Sequence, residues 1–100
     1  MNIRVADNGQ LSLQDSDNFR AFAIVCEGSS ASLAQLEEIA SADQDNHYWL
    51  DAEAVLELSG RKHDQQWVKN FRAMLTGVAA YGYFDENTNR VKAHLEIRDD

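Results

Sequence analysis

The sequence predicts an α+β fold in which an antiparallel sheet, built from N-terminal strands and a C-terminal hairpin, packs in two layers against about three helices. Three observations carry this reading. Residues 3–13 hold two short apolar runs around Asp7-Asn8-Gly9, residues 91–98 alternate apolar and polar side chains, and the apolar residues between about 30 and 81 recur at helical spacing. Each one-sided apolar surface must bury against another, so strands at both termini and helices between them imply a sheet covered by a helical layer.

The first element is a hairpin, Ile3 to Ala6 and Leu11 to Leu13 around Asp7-Asn8-Gly9. A two-residue loop would put Ile3 and Val5 on the face opposite Leu11 and Leu13. A three-residue loop from Asp7 to Gly9 pairs Val5 with Leu11 and Ile3 with Leu13, gathers all four on one face, and leaves Gly9 in the left-handed position of a bulge. Asn18 to Glu27 fits two descriptions. As a helix it carries a stripe of Phe19, Phe22, Ala23, Val25 and Cys26, capped by Ser16 or Asp17 and stopped by Gly28. Its shortness, its aromatic and β-branched content and its turn-like flanks favour a strand.

Ser30 or Ser32 then caps a helix to about Ala42, with Leu33, Leu36, Ile39 and Ala40 on one face. A polar loop from Ser41 to Asn46 leads to Tyr48-Trp49-Leu50. Asp51 caps a short helix ended by Gly60, in which Leu50 staples onto Val55. The longest helix runs from Asp64 to Tyr81, with Trp67, Phe71, Met74, Leu75 and Val78 on its apolar side and Gly82 as its stop. Tyr83-Phe84, a polar loop from Asp85 to Arg90, and a half-buried strand through Val91, Ala93, Leu95 and Ile97 close the chain.

One hundred residues, 44% hydrophobic and 26% charged, suit a single domain over residues 1–100 that folds without disulfides. The longest apolar run, Ala21 to Cys26, is far too short to span a bilayer. The first 25 residues lack a basic stretch followed by an apolar one, and with Cys26 as the lone cysteine a cytoplasmic location is expected. The net charge of −8 is unevenly placed: residues 1–60 hold 11 acids against Arg4 and Arg20, and residues 61–100 hold 6 acids against 7 bases. Nucleic-acid binding needs clustered cations and membrane binding an anionic-lipid attraction, so both are set aside.

No cofactor or metal motif is present. His47, His63 and His94 lack the close spacing of zinc ligands. Asp85, Asn87, Asn89 and Glu96 match four positions of a calcium loop, but Arg90 stands where that loop needs glycine. Cys26 lies in an apolar run, the serines at 29, 30 and 32 form no nucleophile elbow, and Glu53 with Glu57 reads as an exposed like-charge pair. No catalytic residue is assigned. Two features point to binding instead. Arg61, Lys62 and His63 precede the longest helix and could meet an anion at its N-terminus, although Asp64 competes as the cap. Tyr48, Trp49, Tyr81 and Tyr83 are candidate cleft aromatics beside a core of Trp67 and Phe71. The first expectation is therefore a small interaction or accessory module, with an unknown protein or itself as partner. The alternative is a binder of, or enzyme acting on, a small anion, using the aromatics and residues 59–64.

Overall fold

The computed structural model describes residues 1–98, with backbone alone for Ser30 and Ala31. The hairpin forms in the register of the three-residue loop: β1 (Asn2–Val5) and β2 (Leu11–Gln14) pair Ile3 with Leu13 and Val5 with Leu11. Gly9 has φ of 87°, and its N–H donates to the Ala6 carbonyl at 2.8 Å. A Cβ there would lie 3.1 Å from the Ser32 carbonyl oxygen, a second reason for glycine. The ambiguous segment is a strand over four of its residues, β3 (Ala23–Cys26).

The expected helix from Ser30 to Ala42 does not form. Two 3₁₀ turns, Ser30–Leu33 and Leu36–Glu38, are followed by β4 (Ala40–Ala42). Leu33, Leu36 and Ile39 are three residues apart, which a 3₁₀ turn eclipses onto one side as well as an α-helix gathers it. Leu33 and Leu36 are buried. The Ser32 hydroxyl donates to the Asp7 carbonyl at 2.8 Å instead of capping a helix, and the Ser30 side chain lies outside the described residues. Residues 44–47 then turn tightly. Asp45 and Asn46 have φ of 59° and 60°, as a type I′ turn requires, and the His47 N–H donates to the Gln44 carbonyl at 3.2 Å. Asp and Asn tolerate that conformation, so what the sequence presents as a polar loop is a hairpin between β4 and β5 (His47–Asp51).

Helix α1 (Ala52–Ser59) starts where expected, with the Asp51 carboxylate accepting from the Glu53 N–H at 3.1 Å, and ends at Gly60, whose φ is 68°. In α2 (Gln65–Ala79), Asp64 accepts from the Trp67 N–H at 3.1 Å. Two bonds close the far end: Gly82 N–H to the Ala79 carbonyl at 3.0 Å, and Tyr83 N–H to the Val78 carbonyl at 3.1 Å. This is the Schellman arrangement, with Gly82 at φ of 82°. It reverses the chain into β6 (Phe84–Asp85), which pairs with β7 (Arg90–Ile97).

The sheet is mixed, not antiparallel, and the described residues form two α-helices where about three were expected. Its order is β2-β1-β3-β7-β5-β4, with β3 parallel to both β1 and β7. The parallel pairs arise because residues 15–22 carry the chain from β2 past β1 to β1's other edge. There the Ser16 carbonyl accepts from the Trp67 indole at 2.8 Å, and Phe19 packs on Trp67 with ring centroids 5.8 Å apart. Ile3, Ile24, Leu95, Val91, Leu50 and Tyr48 on one sheet face join Val55, Leu56, Trp67, Phe71 and Leu75 of the helices in the buried cluster. Apart from the buried Val25, the other face carries half-buried or exposed side chains, Arg4, His47, Trp49, Lys92, His94 and Glu96 among them.

Candidate anion-binding cleft

The central strand β7 has β5 along one edge. Its other edge is shared: β6 pairs with Arg90 and Val91, and β3 with His94 to Ile97. Tyr83 extends the β6 side as far as Lys92, so between those two partners the sheet is open beside Ala93, where residues from both its faces line a cavity of about 290 Å³. Alternation along β7 gives it two ends. Val91 and Ala93 point inward with Phe22 and with Met74 and Val78 of α2, whereas Lys92 and His94 point to the uncovered face with His47 and Tyr83, and the exposed Arg20 completes the lining.

The uncovered end is an aromatic and cationic cluster. His47 lies opposite His94 in the β5–β7 register, with ring centroids 5.2 Å apart. Tyr83 stacks on His47 at 6.5 Å, and its carbonyl accepts from the Lys92 N–H at 2.7 Å. The Lys92 ammonium lies 5.7 Å from the Tyr83 ring centre and 5.8 Å from that of Trp49. Asp43 anchors this group from outside, 3.6 Å from Lys92 and accepting from the Trp49 indole at 3.1 Å. The Gln44 backbone N–H and the Trp49 indole, both bonded to the Asp43 carboxylate, hold its pKa below the usual range. His47 Nδ1 lies 3.2 Å from the Gln44 carbonyl. A carbonyl can only accept, so this contact puts the proton on Nδ1 and leaves Nε2 to the cleft.

Among the described residues no acid lines the cavity, in a chain with 17 Asp and Glu. Arg20 forms no ion pair among the described residues; only its backbone N–H is engaged, by the Asn18 side chain. A second hollow of about 240 Å³, beside Asp7, Gly9, Ser32 and Gln35, has an acid and no cation.

Of the residues singled out from the sequence, Tyr83 lines the cleft, and Trp49 stands beside it on the same face. Tyr48 faces the core, where burial pushes its phenol pKa up. Tyr81, 79% exposed in the turn after α2, lines no part of the cavity. The cations before α2 are already matched. Arg61 binds Asp17 and Asp64, Lys62 binds Glu57, and His63 is exposed in the same loop. That loop is not part of the cleft. His47, His94 and Lys92 come together through the β5–β7 pairing, and Arg20 reaches the cavity from the segment that leads into β3. The signal in the sequence was the Asp45-Asn46 turn, which makes β5 a strand and so sets His47 against His94.

Comparison with models of known families, with curated proteins and with solved structures gave no match. Fold and cleft define a small α+β protein with a mixed sheet and a cation-rimmed cavity beside β7. Among the described residues no helix is long and apolar enough to cross a membrane, and no three His, Cys, Asp or Glu side chains form a metal-binding group.

Proposed function

We propose that this protein binds a small anionic ligand in the cleft between β3 and β6, as a cytoplasmic binding module and not as an enzyme. The carrying observation is the cavity lining, with Arg20, Lys92, His47 and His94 at its mouth and no acid among the described residues, in a chain of net charge −8. Asp43 offsets Lys92 from outside, whereas the Arg20 guanidinium has no ion-pair partner among the described residues and supplies a fork for a carboxylate or phosphate. Pockets that combine apolar walls with a few convergent polar groups are the usual form of ligand sites.

Backbone amide and histidine side-chain shifts during titration with inorganic phosphate and with acetate test this. Resonances of His47, Lys92, Ala93 and His94 should move, and those of Gly60 to Asp64 should stay. Arg20→Ala should weaken binding roughly two- to fivefold, the scale of one exposed ion pair. Unmoved signals from residues 92–94 at saturating anion would refute the reading.

A protein partner, or a second copy, is the other reading. It is favoured by Trp49 and Tyr83 standing on the uncovered sheet face, Tyr83 being 43% exposed, and by the outer edges of β2 and β4, which end the sheet. Sedimentation at high micromolar concentration separates the two: a monomer that still binds anions supports the cleft alone.

A further inference from the structure

The cavity is not uniformly polar, and this narrows what the anion can be. Its mouth holds Arg20, His47, His94, Lys92 and the Tyr83 ring, whereas its inner wall is Phe22, Met74, Val78, Val91 and Ala93. Met74 and Ala93 are also part of the buried core cluster, and Phe22 and Val78 pack against it. An inorganic ion or a sugar phosphate would meet the mouth but leave hydroxyls and phosphate oxygens unpaired against that wall, which disfavours burial. An apolar molecule without charge would fill the inner end and leave the cations unmatched.

Resting on the anion-binding reading above, we infer that the ligand is an amphipathic monocarboxylate, its carboxylate held at Arg20, His47 and His94 and its apolar tail passed through the sheet against Met74 and Val78. The size agrees. A cavity of about 290 Å³ is roughly twice the 150 Å³ apolar cavity that accommodates benzene, so one aromatic ring and a short acid chain fit within it. The orientation follows from strand alternation, because Ala93, the small residue between Lys92 and His94, points inward and leaves room at the point where the tail must pass.

The experiment compares three probes on the full chain by calorimetry and NMR: 3-phenylpropionate, acetate and phenethylamine. Phenylpropionate is expected to bind about tenfold or more tightly than acetate, since it also buries a ring. It should give intermolecular NOEs from the ring protons to the Met74 and Val78 methyls, and phenethylamine should not bind. Val78→Phe, which fills the inner end, should reduce phenylpropionate to the affinity of acetate while acetate binding persists; the NOEs decide the matter if that variant does not fold. Equal affinities for phenylpropionate and acetate, with shifts confined to the mouth, would overturn the tail assignment and leave anion binding intact. Binding of neither acid, or equal binding of the amine, would overturn the anion reading itself.

Discussion

Asp64 shows how one side chain settles the fate of a candidate site. Its carboxylate takes the Trp67 N–H at the start of α2 and the Arg61 guanidinium at 3.0 Å, and those two bonds, the backbone one first, hold its pKa below the ordinary value. The helix N-terminus that could have met an external anion is thus supplied with one from the chain. A carboxylate with a depressed folded-state pKa contributes stability that is complete above the ordinary aspartate value, about 3.9, and is lost as the pH falls through the lower folded value. Asp64→Asn keeps a capping oxygen but removes the charge. Its urea midpoint should lie below that of the parent protein at about pH 6, and the gap should narrow toward about pH 3. A gap that stays constant with pH would mean that Asp64 acts through cap geometry alone. Arg61 is fixed in the same way from two sides, by Asp17 and Asp64, whereas Arg20 has no such partner among the described residues. That contrast, and not the number of cations in a stretch of sequence, distinguishes a loop from a site.

Among the elements, the reversal after α2 places the cleft's aromatic wall. Gly82 at φ of 82° allows the Tyr83 N–H to close onto Val78, which brings Tyr83 beside Lys92. Gly82→Ala imposes a left-handed conformation on a residue with a Cβ and should cost about 1–2 kcal/mol in urea denaturation; it should also shift the Lys92 amide. An unchanged midpoint would mean that the turn relaxes without loss. This reversal, the first hairpin with its register, both helix caps and the alternation of β7 were legible because each rests on neighbours in sequence: a glycine, a capping aspartate, a period of two. The segment from Ser30 to Asp51 was not, since a three-residue spacing of leucines serves a 3₁₀ turn as well as a helix. The Asp45-Asn46 turn also lacks the glycine that marks a hairpin strongly. Missing β5 hid the cleft, because the pairing of His47 with His94 exists only through β5 and β7. The mixed sheet was hidden for a related reason: the parallel pairing of β3 depends on where residues 15–22 cross, and Trp67, far along the chain, fixes that crossing.

Over the whole molecule, an anion would be attracted to one region of a chain that repels it on average. Residues 1–60 carry 11 acids against Arg4 and Arg20, and most of the cleft, from Met74 to His94, comes from the nearly neutral remainder. Charges beyond a Debye length of about 8 Å are largely screened at physiological salt, so the groups at the mouth decide binding. His47 there faces His94, the Tyr83 ring and the Gln44 carbonyl; Arg20 and Lys92 share the cavity, and Asp43 holds Lys92 from outside. Each imidazole can present a ring N–H to an anion bound at the pair. The double variant His47→Phe/His94→Phe keeps the ring packing and removes those donors, so it should weaken acetate binding several-fold at constant pH, while His63→Phe in the loop before α2 should leave it as in the parent, both measured as acetate titrations. Equal affinities in the double variant and the parent would remove the imidazoles from the site.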